Sequence, residues 1–408
     1  MVAHSPVFTA LRVVELADDP GGEQVGKLLA DLGADVIKVE PPGGAASRAV
    51  GPFADGDSAA IADRSLTYWT YNTGKRSVVL DDSAAGRPDR DRLIAAADVL
   101  ISTARPAELA ERGLDFAALM RASPRLIILS LTPFGLTGPH ADYRSSDLVG
   151  LAAGGLLNSC GYDDHSIPPI RPGGNQGYMT AATLAHCGLL LALIERAKSG
   201  QGQLVDASMH EAIAVSGELA NPYWFYPRAL VRRQTARHAQ PVPSQPALFE
   251  CSDGVWVYFA LILSDRRAWA ALVSWLDDRD MAADLTEPKY LDLEFRQREF
   301  AHVQEVIEAF FLVQDSTAAY QDGQGRGLPI APVRAPEEVL QDEHLREREF
   351  FVPVQLPADK PRTAEFPGSP YRFSAFIARP RSPARLGADT SRVLAELDGD
   401  GSHHGGQA

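Results

Sequence analysis

The sequence predicts an α/β protein in which a large domain carries a doubly wound parallel sheet and the middle of the chain forms a smaller α+β domain. Three observations predict it. The chain opens on a strand–helix–strand pattern, short apolar runs then recur between helix-like or Gly/Pro-rich segments, and the texture changes near residue 220. Such alternation is the mark of parallel strands with helices on both faces of the sheet.

The elements follow in order. "LRVVEL" (residues 11–16) reads as the first strand, "DPGGE" as a glycine turn, "QVGKLLADLGA" as a helix ending at Gly33, and "DVIKVE" (35–40) as the second strand. Glycine just past the last helical turn is the usual helix stop. Further strands are expected at 77–81, 98–102 and 125–135. Residues 176–197 are almost wholly apolar and predict a buried helix at the centre of the domain. We place the first part of the large domain at 1–220, a proline-rich basic linker at 221–245, the small domain at 246–330, a return to the large domain at 331–398 and a disordered tail at 399–408. Within the small domain "FECSDGVWVYFALI" (249–262) reads as a hairpin turning at Asp253-Gly254.

Composition narrows the function classes. A net charge of −14 opposes non-specific nucleic-acid binding, which needs a basic surface. No run of eighteen uncharged apolar residues is present and the N-terminus has no basic region before a long apolar one, so the expectation is a cytoplasmic protein without membrane contact. Cys160, Cys187 and Cys251 are widely spaced, and neither they nor the tail pair His403-His404 form a metal-site pattern. No metal is expected.

The turn "DPGGEQVG" lacks the GxGxxG spacing of a dinucleotide site, although Glu40 stands where a ribose-binding acid would. Neither GxSxG nor HExxH occurs, and His140, His165, His186 and His210 read as structural or surface residues. Basic residues near strand ends are more informative: Arg48, Lys75, Arg76, Arg105 and Arg144 are candidates to converge on an anionic ligand.

The phrases "LLADLGADVIKVEPPGG…SR", "YNTGKRSVVLD", "ADVLISTARP", "PRLIILSLTPFGLTGP", "ALIERAKSGQGQLVDASMHEA" and "LPIAPVRAPEEVLQDEHLRERE" resemble the family III CoA-transferases, also called the CaiB/BaiF family, from about residue 11 to 395. The resemblance implies a Rossmann-like large domain built from both chain ends. It also implies an interlocked dimer in which each chain threads a ring made by the other, either a homodimer or a heterodimer with a catalytic paralogue. It implies acyl-CoA and a carboxylic acid as ligands, with coenzyme A held by Gly21, Arg48, Asn72, Lys75, Arg76, Thr103, Arg105, Phe134, Gly135 and Arg144. Hydrogen bonds to charged groups contribute roughly 1.5–3 kcal/mol each, so a few would hold CoA on an acidic chain.

The catalytic segment departs from the family pattern. In these transferases the carboxylate of a Gly-Asp pair attacks the thioester; here the pair is Gly177-Tyr178. Tyrosine has a pKa near 10 and forms no acyl anhydride. The racemases of the family use that aspartate and a histidine before a second acid, which here is Asp147 preceded by Ser146. Tyr178 and Asp147 are therefore the catalytic candidates. A phenol donating a hydrogen bond suits enolate chemistry: dehydration, isomerisation or C–C cleavage. The alternatives are ordinary CoA transfer through another residue, with Asp163 or Asp164 as carboxylate sources, and a non-catalytic subunit of a heteromeric transferase.

Overall fold

The computed structural model describes residues 6–54, 61–81, 86–217, 220–261, 263–357 and 362–400. Contacts divide the chain into two compact units. The first comprises the described residues of Met1–Leu157, Pro172–Gly217 and Glu343–Ala408, and the second those of Asn158–Arg171 and Glu218–Asp342.

In the first unit β1 (Arg12–Leu16), α1 (Pro20–Asp31) and β2 (Asp35–Glu40) form the opening βαβ motif. The chain continues through α2 (Leu66–Tyr71), β3 (Arg76–Val79), α3 (Arg87–Ala95), β4 (Val99–Ser102), α4 (Pro106–Arg112), α5 (Phe116–Ala122) and β5 (Ile127–Thr132). Then come α6 (Asp147–Ala153), α7 (Gln176–Ser199), β6 (Leu204–Ser208) and α8 (Met209–Val215). The six strands are parallel in the order β3-β2-β1-β4-β5-β6. Successive side chains of a strand face opposite ways. Val13, Val99, Ile101, Ile127 and Leu129 accordingly join one core with Val25 and Leu29 of α1, while Val14, Leu100 and Ile128 join another with Leu93 and Ile94 of α3. Both faces are covered, which is why the strands read as unbroken apolar runs. The order reverses between β1 and β4, and in such sheets the ligand crevice lies beyond the carboxyl ends of the strands at that switch point.

Helix α7 differs from its expected burial. It is long and apolar enough to cross a membrane by length and composition, with mean hydropathy 1.6 over its best window. One face, Ala181, Ala182, Ala185, Leu189 and Ala192, packs into the core, its small side chains admitting the sheet closely. The other face leaves Leu184, Leu191 and Ile194 43%, 66% and 56% exposed. Uniform hydropathy cannot distinguish a helix buried all round from one buried on a single face.

The second unit takes Asn158–Arg171 from the expected first part of the large domain and resumes where a linker was expected. Residues 221–245 carry most of α9 (Ala220–Phe225) and the hairpin β7 (Arg232–Gln234) and β8 (Arg237–Gln240). They are followed by β9 (Leu248–Glu250), β10 (Trp256–Phe259), α10 (Arg266–Asp277), α11 (Leu293–Arg298), α12 (Phe300–Leu312), α13 (Ser316–Gly325), β11 (Ile330–Pro332) and α14 (Pro336–Val339). Strands β11-β10-β9 form an antiparallel sheet whose β9–β10 turn uses Gly254 at φ +77°, over a core of Phe249, Phe259, Trp275, Phe310 and Phe311. Ile262, at the end of the expected hairpin, lies outside the described residues.

The chain returns to the first unit at Glu343 with α15 (Glu343–Glu347), the hairpin β12 (Phe351–Gln355) and β13 (Thr363–Pro367), and α16 (Thr390–Asp400). Val393 of α16 enters the α3-side core, while Asp389 Oδ2 and Thr390 Oγ1 accept from the N–H groups of Ser77 and Val79 at 3.0 Å. The edge strand β3 is thereby covered. Of the expected tail, residues 399 and 400 belong to α16, and residues 401–408, with His403 and His404, lie outside the described residues.

A Cβ on Gly26 of α1 would stand 1.7 Å from Glu15 Oε2. Gly26→Ala should therefore lower stability by about 1–3 kcal/mol, read as a fall in thermal midpoint, whereas Gly43→Ala, where a Cβ meets open space, should be nearly neutral.

Candidate functional site

The chain leaves β1 through Ala17, Asp18 and Asp19 and enters α1 at Pro20. Asp19 is the N-cap, with extended backbone (φ −135°, ψ 161°) and Oδ1 accepting from Gly22 N–H at 2.9 Å. An aspartate cap followed by proline at the first helical position is a strong local start signal. Across the switch point, Thr103 Oγ1 after β4 accepts from Asp18 N–H at 3.0 Å. The approach is close: a Cβ on Gly22 would lie 2.4 Å from Thr103 Cγ2, so only glycine fits.

Tyr178 enters the same place from the first turn of α7. Asp147 Oδ1 accepts from Gly177 N–H at 2.8 Å and from Tyr178 N at 3.4 Å, tying the free N–H groups of α7 to the start of α6. Asp147 is therefore a positioning residue, and Gly177 leaves it room, since a Cβ there would stand 3.2 Å from the carboxylate. Half-buried Tyr178 shares a small cavity with Asp19, Leu131, Thr132, Pro133, Ala181 and Met209. A Cβ on Gly21 would lie 3.2 Å from Tyr178 Cδ1 and 3.3 Å from Asp19 Oδ1, so ring and carboxylate flank one gap. Burial, reinforced by the negative charges of Asp19 and Asp147, holds the phenol well above its usual pKa, so it keeps its proton. Burial also pushes Asp19 up to about 7; the Gly22 N–H opposes this, and Glu23 and Asp18 add to it.

Several sequence candidates lie elsewhere or are already engaged. Arg48 is buried, with Nε 2.6 Å and Nη2 2.8 Å from the Glu40 carboxylate and further bonds to Asp63, Ala62 O and Ala384 O, and its guanidinium lies 3.6 Å from the Tyr68 ring centroid. Burial pulls Glu40 upward, but Arg48 outweighs it and holds the carboxyl below its usual range. Arg48 thus has no N–H left for a phosphate. Lys75 is buried as well, bonded to Glu15, Glu23 O and Asn72 Oδ1, and Asn72 Nδ2 donates to Tyr68 O. Desolvation brings Lys75 down to about 8. Arg76 opens β3 and pairs with Asp35, at the start of β2, and with Glu396, which puts it at the amino ends of the parallel strands, opposite the crevice.

The remaining candidates do lie at the carboxyl ends. Arg105 caps α4 and bonds Asp142 O and Glu108, both at 2.5 Å. Phe134 meets the rings of His140, Tyr143 and His210, and Gly135 supports the turn after β5 at φ +83°. Arg144 is exposed and has no hydrogen-bond or ion-pair partner among the described residues, which leaves it open to an anion. In the second unit Asp163 is held by Thr235 and Arg237, and Asp164 by Ser166. His186 is buried, and desolvation lowers its pKa. Among the described residues no cluster of His, Cys, Asp and Glu could hold a metal.

The residue that sequence reasoning missed is Asp19. Its signal was present as an acid directly after the first strand, before Pro20, in a turn read for its glycines alone.

The sequence pattern of CoA-transferase family III matches residues 9–390. The chain is 32% identical over 395 residues to succinyl-CoA:(R)-benzylsuccinate CoA-transferase subunit BbsE of Thauera aromatica, covering 95% of this chain and 94% of that one. It is 30% identical over 408 residues to the succinyl-CoA–L-malate CoA-transferase beta subunit of Chloroflexus aurantiacus, covering 96% and 94%. Among solved structures, a CaiB/BaiF family protein from Brucella suis superposes with TM-score 0.81 at 25% identity, over 97% of this chain and all of that one.

Arg48→Met strands the buried Glu40 charge and should cost about 3–5 kcal/mol, measured by denaturant unfolding. Because the folded pKa of Asp19 lies above its unfolded value of 3.8, its contribution to stability is present below about pH 4 and lost as pH rises through about 7. Asp19→Asn keeps the cap and removes the titration, so the mutant's melting temperature should gain on wild type between about pH 5 and 8, by about 2–4 °C for a discounted ~1 kcal/mol.

Proposed function

The chain belongs to CoA-transferase family III, and from that premise we propose that it is an acyl-CoA:carboxylate CoA-transferase with succinyl-CoA as donor. The observation that carries the proposal is the carboxylic acid of Asp19 facing the Tyr178 cavity at the switch point of the sheet, where CoA chemistry is expected of this fold. Relatives named as succinyl-CoA-dependent transferases, matched over nearly the whole chain, support transfer over dehydration, isomerisation or C–C cleavage. On this reading the protein is a cytoplasmic dimer, and exposed Arg144, without a partner among the described residues, contributes to holding the CoA phosphates.

A second reading is favoured by one specific observation: two of the relatives are named as subunits, which fits a chain whose sequence resemblance sets Tyr178 against the family's nucleophile. In that case the chain is one half of a heteromeric transferase and depends on a second chain for turnover.

The test is incubation of the purified protein in heavy water with succinyl-CoA and a panel of carboxylic acids, following all CoA species by mass spectrometry. Transfer gives a new acyl-CoA and free succinate in equal amounts. Deuterium uptake, loss of water or chain cleavage without a new acyl-CoA contradicts it. Arg144→Ala should weaken CoA binding by about 10-fold, as expected for the loss of one charge-assisted bond, with little change in melting temperature.

A further inference from the structure

We propose that Asp19 is the carboxylate through which this chain passes CoA, a proposal that rests on the transferase reading. The sequence resemblance sets Gly177-Tyr178 against the family's Gly-Asp pair, yet the cavity containing Tyr178 does not lack an acid. The acid comes from the other side of the gap, on the N-cap of α1, with Asp19 Oδ1 and Tyr178 Cδ1 each about one van der Waals contact from the same point beside Gly21. It also stands three residues beyond β1, beside Asp18, whose N–H donates to Thr103 after β4 at the switch point.

The neighbouring carboxylates are committed elsewhere. Asp147 caps α7, and Asp18 pairs with Arg112 at 2.7 Å. Glu15 and Glu23 face Lys38 and Lys75 in the interior, Glu40 holds Arg48, and Asp206 accepts from Leu136 N–H. Asp19 forms no ion pair among the described residues, and its well-formed hydrogen bond is the single one from Gly22. Its pKa of about 7 fits a carboxylate that is under-stabilised as an anion and correspondingly nucleophilic.

The transfer balances without an oxidant or a metal. Asp19 attacks the thioester carbonyl, the C–S bond breaks, and CoA thiolate leaves a mixed anhydride. The thiolate then attacks the Asp19 carbonyl, releasing the donor acid and leaving an aspartyl-CoA thioester. An acceptor carboxylate attacks that thioester, giving a second anhydride and thiolate. Finally the thiolate takes the acceptor acyl group and restores the Asp19 carboxylate. Tyr178, which keeps its proton, is the hydrogen-bond donor at hand for the oxyanions.

The experiment treats the full-length protein with succinyl-CoA, traps with borohydride and maps the peptides by mass spectrometry. An aspartyl thioester is reduced to the corresponding alcohol, so the expected result is reduction at residue 19 that depends on succinyl-CoA. Asp19→Asn and Asp19→Ser, both of which keep a capping side chain, should lose the label and about 10³-fold or more of transfer while retaining a CoA-induced rise in melting temperature. Transfer with a label elsewhere, or variants that retain transfer within about 10-fold of wild type, would overturn the role of Asp19 and leave the transferase reading standing. No transfer to any acceptor and no label would overturn both.

Discussion

A lattice of buried charge ties the first three strands of the sheet to α1, and the site depends on it. Lys38 Nζ lies 3.0 Å from both Glu15 and Glu23, and Lys75 reaches Glu15 and the Glu23 carbonyl, so β1, β2, α1 and the entry to β3 meet at four interior charges. Glu40 and Arg48 extend the pairing to the loop after β2. Such an arrangement is costly to break, because removing one member leaves another charged and dry. It holds α1 so close to the sheet that Gly22 and Gly26 admit no side chain, and it thereby sets where the Asp19 cap emerges.

The lattice also engages basic residues that the sequence offered as a phosphate-binding set. Arg48, Lys75 and Arg76 are spent on internal acids, and Arg76 lies at the wrong end of the strands. What remains around the crevice is mostly backbone, aromatic and acidic: Thr103, the Phe134 ring cluster, Tyr178 and Asp19, with Arg144 a cation that has no partner among the described residues. The carboxyl function we propose as reactive is carried at the start of the first helix of the domain, across one gap from Tyr178 of α7.

Much of this fold is legible in the sequence because local signals agree with the tertiary result. Strand runs at 11–16, 35–40 and 98–102 and the Gly33 stop sit where short-range rules put them, whereas α1 begins at Pro20, inside the stretch expected as a glycine turn, because Asp19 caps it. The misses are tertiary. The hairpin inside 221–245 is built from Arg and Gln positions with no alternating apolar face, and the exposed side of α7 is as apolar as its buried side. Within the site, Tyr178 stands out by comparison with a motif. Asp19 does not, because its meaning lies in what faces it across 158 residues of intervening chain, and no spacing rule reports that.

Covalent transfer through Asp19 requires that a protein carboxylate at this switch point exchange oxygen with the acceptor. A single turnover with acceptor acid labelled with oxygen-18 in its carboxylate tests it directly, because attack on an aspartyl thioester and return of the thiolate leave one acceptor oxygen on the enzyme. Oxygen-18 in the peptide at Asp19 is the predicted result. New acyl-CoA formed with that peptide unlabelled would contradict the account.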